Sequence, residues 1–157
     1  MNNKNHIINR KIILFTRQIN DVLGISVPKI TINPSEMKTK AQLAATIVGG
    51  IVLRSNNFTP ETALAIAHEL RHLWQLELHE EEYFKDGYFK VGSVDTQDYN
   101  MQKAEIDANA FASVIMTVLF GMKPTFENLS PQINKQIEKR IVEIEDDICK
   151  SIEQIEM

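Results

Sequence analysis

The most informative residues of this chain are His68-Glu69-Leu70-Arg71-His72, which form an HExxH pattern. Residues four apart on an α-helix lie on one face, so His68 and His72 can bind the same metal ion. Glu69 would project beside that ion and could take a proton from water. The pattern therefore indicates zinc-activated water attacking a carbonyl group, with Glu69 as the general base.

The residues around this motif predict the helix that must hold it. Thr59 is a typical N-cap, Pro60 fits the first helical position, and Glu61 is favourable in the first turn. We expect the helix to end at about Leu78. Apolar residues at helical spacing give it a buried face: Ala63, Ile66, Ala67, Leu70, Leu73 and Trp74. The alternative is a solvated helix with two incidental histidines.

A catalytic zinc site needs three protein ligands, so a third must come from elsewhere in the chain. His79 lies about 10.5 Å beyond His72 on a continuous helix, too far to share an ion held by bonds of about 2.0–2.1 Å. His6 stays possible, although no motif surrounds it. Glu105 is the preferred candidate, because it borders the apolar stripe of a second predicted helix and can point toward a facing helix.

One turn after Glu105, Asn109 lies on the same predicted helix face. Its side chain could hold the free ring nitrogen of a ligand histidine, a supporting contact that such sites require. The alternative is that Glu105 and Asp107 are ordinary surface carboxylates. A catalytic site must place a third ligand somewhere, and few other candidates face the core, so the first interpretation is preferred.

The remaining pattern predicts a mostly helical α+β fold with a small sheet before the HExxH helix. Residues 5–23 are apolar at helical spacing, and Gly24 closes that run as a C-cap. Residues 25–33 predict an edge strand around Pro28, which cannot donate to a central ladder. Residues 46–53, TIVGGIVL, are the best strand candidate, and their glycine pair indicates a bulge or a close backbone approach.

The second half of the chain predicts two further helices. Residues 79–98 are polar and dotted with aromatic side chains, which indicates an ordered loop, with or without a short helix. A helix is expected at about 98–120, ended by Gly121. A last helix is expected at 131–155, with isoleucines on one face and charged residues on the others. That face could form a dimer, but packing on the core of the same chain is preferred.

The composition limits the classes of partner. The 157 residues, with 43% apolar side chains, suit a single domain spanning 1–157. The net charge of −4, without a basic run, argues against a nucleic-acid partner. The longest apolar run, 111–121, is interrupted by Ser113 and Thr117 and is shorter than the roughly 20 residues that span a bilayer. We therefore expect no membrane partner, and the oligomeric state stays open.

The only cysteine, Cys149, rules out an internal disulfide and is interpreted as a packing residue. A lone thiol fits the reducing cytoplasm of a cell. The N-terminal sequence has no apolar run of the roughly 7–15 residues that a secretory signal requires. These features predict a cytoplasmic protein.

The segments AHELRHLWQ and AEIDANAFA together resemble the gluzincin-type zinc metallopeptidases. The ImmA/IrrE-like group and the small metallopeptidase-like proteins of bacteriophages and prophages are the most similar. The resemblance covers about residues 44–116 and implies a minimal zincin core in which a strand precedes the HExxH helix. It further implies a bacterial host cell as the location.

The resemblance implies that His68, His72 and Glu105 bind Zn²⁺ and that Glu69 is the general base. The family often has aspartate four residues after the ligand glutamate, where this chain has Asn109. Asparagine can still form hydrogen bonds but carries no charge.

Many such sites add a donor for the oxyanion, and Tyr99 is the candidate here, with Tyr88, Tyr83 and His79 as alternatives. The TIVGGIVL strand could pair with an extended substrate, or could simply belong to the core.

Three functions are consistent with the sequence. The first is an active zinc endopeptidase that cleaves a specific intracellular protein. The second is a zinc-binding but non-proteolytic regulatory or interaction module of a phage or prophage. The third is a helical interaction protein without metal. The retained Glu69 favours the first, because a structural zinc site does not need that acid.

Overall fold

The computed structural model describes residues 7–156 and has a mixed α+β fold, as predicted. In chain order the elements are α1 (Arg10–Leu23), β1 (Lys29–Ile32), a single 3₁₀ turn (Pro34–Glu36), β2 (Ala44–Ile47), β3 (Gly50–Leu53), α2 (Pro60–Leu78), α3 (Glu80–Phe84), α4 (Thr96–Met101), α5 (Lys103–Phe120) and α6 (Pro131–Glu156). The first six residues, including His6, lie outside the described part.

Helix α2 carries the HExxH residues and has the predicted bounds. The Thr59 hydroxyl accepts a hydrogen bond from the Thr62 backbone N–H at 3.1 Å, and Pro60 occupies the first helical position. These contacts satisfy free donors at the helix start. Its apolar residues face the core, as expected.

The predicted single strand 46–53 is wrong, because the segment folds back on itself as a hairpin. Strands β2 and β3 are antiparallel, and Val48-Gly49 form the turn between them. Gly49 adopts a φ of 72°, which glycine reaches without strain. A side chain at Gly50 would overlap the Lys29 carbonyl oxygen of the neighbouring strand, so the expected close backbone approach is confirmed.

The three strands lie in the order β1-β3-β2, with β1 parallel to β3. The edge strand predicted at 25–33 around Pro28 is confirmed as an edge strand, but it spans only Lys29–Ile32, so Pro28 precedes it. Strand β3 is the buried centre of the sheet. Within residues 7–156, the outer edge of β2 pairs with no other strand.

Helix α1 begins at Arg10, later than the predicted residue 5, because Asn9 caps it. The Asn9 side chain accepts from the Lys11 N–H at 3.0 Å, while its backbone N–H donates to Asn56 at 2.7 Å. Residues 7–9 are therefore outside the helix. Gly24 ends α1 in the left-handed conformation, as predicted.

The predicted helix 98–120 is divided in two at Gln102. The backbone of Gln102 has a ψ of 141°, which separates α4 from α5. Its side chain instead bonds the Phe89 backbone, accepting from the N–H at 2.7 Å and donating to the carbonyl at 3.1 Å. This contact with the preceding segment therefore accompanies the break in the helix at Gln102. That segment, 79–95, is irregular apart from α3, which fits the predicted loop with a short helix.

Helix α5 packs between α2 and α6. The isoleucine face of α6 lies against this core, which confirms the preferred packing: Ile133, Ile137, Ile144, Ile148 and Ile152 are buried, and Ile141 is partly buried. Helices α2 and α5 are thereby held face to face, and they carry the predicted metal ligands.

Candidate metal centre

Three predicted ligands meet between α2 and α5. Nε2 of His68 lies 3.1 Å from Oε2 of Glu105, and Nε2 of His72 lies 3.0 Å from the same oxygen. The two Nε2 atoms are 3.1 Å apart. His72 and Glu105 are buried and His68 is half-buried, so this group could hold a metal ion.

Helix α5 has small residues beside Glu105 where it packs on α2. Ala104 precedes Glu105 and Ala108 follows it one turn later, and both are almost fully buried. From α2, the Gln75 amide reaches the Ala104 carbonyl and donates to it at 3.0 Å. Side chains without bulk thus bring the Glu105 carboxylate within reach of the histidines.

The orientation of the His72 ring is set by Gln75, one turn further along α2. Gln75 Nε2 donates to Ala104 and also to the Asp107 carboxylate at 2.8 Å, so its Oε1 must be an acceptor. That oxygen lies 2.8 Å from His72 Nδ1. His72 therefore carries a hydrogen on Nδ1, which leaves the Nε2 lone pair directed at Glu105 when the ring is neutral.

His68 is held in the same way from α5. Its Nδ1 lies 2.8 Å from Oδ1 of Asn109, the contact predicted for this residue. The two rings then direct lone pairs at each other and at a carboxylate. Such an arrangement is repulsive unless a proton or a cation lies between them.

The donor set fits a divalent transition metal. Two imidazole nitrogens and one carboxylate oxygen are typical zinc ligands, although other first-row metals accept them too. Bonds of about 2.0–2.1 Å at tetrahedral angles place ligand atoms about 3.3 Å apart. The observed separations of 3.0–3.1 Å are close to that value. The separations of the three ligand atoms therefore fit a site in which three protein residues bind one metal ion.

Charge attraction dominates the ionisation of this group without metal. Burial alone would lower the pKa of His72, but the adjacent Glu105 carboxylate raises it to about 9. Burial alone would raise the pKa of Glu105, but His72 and His68 hold it well below its usual range. The carboxylate thus stays charged in a buried position, and a proton on His72 supplies the positive charge. A metal ion must displace that proton.

Glu69 projects toward the cleft beside the ligands, and its carboxylate accepts a hydrogen bond from the Thr46 hydroxyl on β2. Two open cavities, of about 860 and 620 Å³, meet along Glu69 and Tyr99. The first is also lined by His68 and the second by His72. A cleft on both sides of the candidate centre is therefore open to solvent.

Tyr99, the predicted oxyanion donor, lines both cavities and lies beside Tyr88 and Glu105. Its hydroxyl lies 3.1 Å from that of Tyr88, and Tyr88 donates to Oε1 of Glu105 at 2.9 Å. Burial, followed by the Glu105 charge, raises the pKa of both tyrosines above the usual value. A role for Tyr99 in the reaction stays a prediction.

Tyr83 and His79 both lie away from the ligands. Tyr83 is buried and accepts from Arg140 at 2.9 Å, and burial raises its pKa to about 12. The His79 ring stacks on Trp74 with centroids 4.1 Å apart, and its nearest carboxylate is Glu82 at 3.5 Å. Neither residue reaches the site.

Asp107 is buried, as is Glu105, so the alternative that these are ordinary surface carboxylates is excluded. Arg71 donates to it through two nitrogens, at 2.8 and 3.1 Å, and Arg140 from α6 donates at 2.9 Å. Burial would raise the pKa of Asp107, but the arginines and Gln75 lower it. The cluster of Asp107, Arg71 and Arg140 joins α2, α5 and α6. Gln75 connects it to His72 through its two amide atoms.

The sequence patterns missed the supporting roles of Thr46, Gln75 and Tyr88. Gln75 was detectable, because it lies three residues after His72 and therefore on the same helix face. Thr46 and Tyr88 reach the site from a strand and from an irregular segment, where helical periodicity says nothing about neighbours.

Among residues 7–156, no helix has the length and apolar character needed to cross a membrane. Comparisons with protein-family models, with curated proteins and with solved structures give no match to this chain. The resemblance to gluzincin-type metallopeptidases therefore stays a prediction from the motif residues.

Proposed function

We propose that this protein is a zinc-dependent endopeptidase that hydrolyses a peptide bond in a protein substrate. The convergence of His68, His72 and Glu105 beside the carboxylate of Glu69, in an open cleft, is the observation that carries the proposal. A structural metal site gains nothing from an acid in that position. A hydrolytic site requires one.

Each side chain has a role in this reaction. Zinc, when bound, would polarise the substrate carbonyl and lower the pKa of water at the site. Glu69 would take the proton of the attacking water and return it to the leaving nitrogen. The Thr46 hydroxyl holds one oxygen of Glu69, which leaves the other to accept that proton. Asn109 and Gln75 keep both ligand rings oriented.

The outer edge of β2 supports a peptide as the substrate class. Leu43 accepts a backbone hydrogen bond from Arg54, which sets the alternation along the hairpin. By that alternation, the backbone groups of Ala44 and Thr46 point away from β3. An extended peptide could add to this edge as a further strand. Because the Thr46 side chain contacts Glu69, the added strand would run beside the general base.

One side chain competes with a peptide for this edge. Gln42 Nε2 donates to the Ala44 carbonyl at 3.1 Å, and its Oε1 accepts from the Lys38 N–H at 2.7 Å. The Gln42 amide thus takes the place of a peptide group beside β2. We expect a substrate strand to displace it.

The proposal is tested with zinc-loaded protein, a Glu69→Gln variant and a peptide library. The wild type should retain about one zinc per chain and cleave a subset of peptides. Glu69→Gln should retain the zinc and cleave roughly 10²–10⁴-fold more slowly, because it removes only the general base. Glu77→Gln, at an exposed glutamate further along α2, is the matched control and should cleave like wild type. Equal rates for Glu69→Gln and wild type would contradict the mechanism.

A metal-binding regulatory module without peptidase activity is the second candidate. One observation favours it: the Tyr88 hydroxyl is engaged by Glu105 and so is not directed at a substrate, and Thr46 occupies one oxygen of Glu69. Zinc retention without cleavage of any library peptide or of denatured proteins would support this candidate.

A further inference from the structure

The two carboxylate oxygens of Glu105 have different partners. Oε2 faces the histidines at 3.0 and 3.1 Å, whereas Oε1 accepts from the Tyr88 hydroxyl at 2.9 Å. The Glu105 side chain is only 2% exposed, so solvent is a poor substitute for that donor.

Tyr88 is held by contacts with neighbouring rings and by its chain neighbour. The ring packs edge-on against Phe84, with centroids 5.5 Å apart, and against His72 at 6.3 Å. The next residue, Phe89, is bound through both backbone polar groups by the Gln102 side chain. The position of the hydroxyl is therefore built into the fold.

Building on the proposed zinc site, we propose that Tyr88 is a positioning residue that restricts Glu105 to binding the metal through one oxygen. Carboxylates bind metal ions through one oxygen or through both. With Oε1 held by Tyr88, Glu105 presents only Oε2 to the ion. Three protein ligand atoms then leave one tetrahedral position for water or substrate, which a catalytic site needs.

The same contact excludes Tyr88 as a donor to the substrate. A phenol has one hydrogen, and that of Tyr88 is directed at Glu105. Removing the hydroxyl would free Oε1 to bind the ion as a fifth ligand atom, in addition to the water. Tyr88→Phe should therefore alter the coordination number of the metal while leaving the number of protein residues that bind it unchanged.

Cobalt provides a readout that does not depend on catalysis. Co²⁺ takes up zinc sites, and its visible absorption is several-fold stronger in four-coordinate than in five-coordinate sites. Wild type loaded with Co²⁺ should show the strong absorption, and Tyr88→Phe should show a several-fold weaker one. We also expect Tyr88→Phe to weaken zinc binding by about tenfold in a chelator competition, because a supporting contact is lost.

Tyr83→Phe is the matched control. It removes a tyrosine hydroxyl that accepts from Arg140 and does not reach the site, and its spectrum should match wild type. Gln102→Ala keeps the Tyr88 hydroxyl but releases Phe89, so it should give an intermediate spectrum. This variant carries the test if Tyr88→Phe does not fold.

The outcomes separate the two proposals. If wild type retains neither cobalt nor zinc, the metal site and the proposed function fail together. If wild type binds Co²⁺ and both Tyr88→Phe and Gln102→Ala give its spectrum, the role of Tyr88 is wrong and the metal site stands. Equal weakening of the absorption in Tyr88→Phe and Tyr83→Phe would also contradict it, since that result would assign the effect to the loss of any tyrosine hydroxyl near the core.

Discussion

Glu105 and Asp107 lie two residues apart on α5, and both are about 1% exposed, yet their partners differ in kind. Asp107 contacts Arg71 and Arg140, whose charges are permanent. Glu105 contacts His68 and His72, which can be neutral and can give up a proton. A carboxylate with permanent cations is satisfied by the fold itself. A carboxylate between histidines can exchange a proton for a metal ion.

The largest expected effect concerns the arginine side of this comparison. Asp107→Asn leaves Arg71 buried without its anion, so we expect the free energy of unfolding to fall by about 3–5 kcal/mol. Urea unfolding of the metal-free protein measures this. Asp146→Asn, at an exposed carboxylate on α6, is the control and should change stability by less than about 0.5 kcal/mol. A loss for Asp107→Asn as small as that of the control would show that the buried pair contributes little.

Whereas Asp107→Asn should act mainly on stability, Glu105→Gln should act mainly on zinc affinity. It removes an anionic ligand, so zinc affinity should fall by roughly a hundredfold or more. Metal content after dialysis and competition with a chelator give the change. Glu82→Gln, at an exposed glutamate on α3, should leave zinc binding unchanged. Undiminished zinc binding by Glu105→Gln would mean that another residue is the third ligand.

The pH dependence should separate metal-free from metal-loaded protein. The pKa of His72 is raised to about 9 from the usual 6.5, so its protonation stabilises the metal-free fold fully below pH 6.5. That contribution is lost as pH rises toward 9. Zinc must displace the same proton, so its apparent affinity should rise by up to about tenfold per pH unit over that window.

Thermal unfolding with and without zinc, at pH 6.5 to 9, measures both trends. A metal-free stability that does not fall across this window would contradict the raised pKa of His72. Asp107 affects stability in a different pH range. Its lowered pKa stabilises the fold at neutral pH, and this stabilisation is lost only in acid, as pH falls through that low pKa.

The smallest effects should come from the amides that orient the rings. Asn109→Ala and Gln75→Ala should each weaken zinc binding by about tenfold. Gln75 also donates to Asp107, so Gln75→Ala should lower the free energy of unfolding by an additional 1–3 kcal/mol or so, whereas the half-buried Asn109 should cost less. Parallel zinc titrations and urea unfolding distinguish the two. Equal stability losses for the two variants would contradict the role of Gln75 as the contact between His72 and the Asp107 cluster.

Residues on helices were predicted best, because a period of 3.6 residues fixes which side chains share a face. His68 with His72, and Glu105 with Asn109, are each four residues apart, and the structure brings all four together. The pairing of α2 with α5 followed from the chemistry of a three-ligand site rather than from any local pattern.

Other features depend on contacts that no local pattern records. Arg140 reaches Asp107 across 33 positions, and Thr46 reaches Glu69 across 23. The break at Gln102 depends on the Phe89 backbone, which competes with helical hydrogen bonding. The TIVGGIVL hairpin was partly predictable, because Gly49 is a typical turn residue. Eight apolar-rich residues are, however, equally typical of one buried strand.

The contact of Arg140 with Asp107 has a consequence for shortened versions of this protein. A polypeptide ending at residue 116 would contain every predicted ligand and the general base. It would lack α6, and with it one of the two cations beside Asp107 and the isoleucine layer over α5. The helix that presents Glu105 would then be unsupported on its far side, so the smallest piece that retains zinc should extend well past the motif that identifies the site.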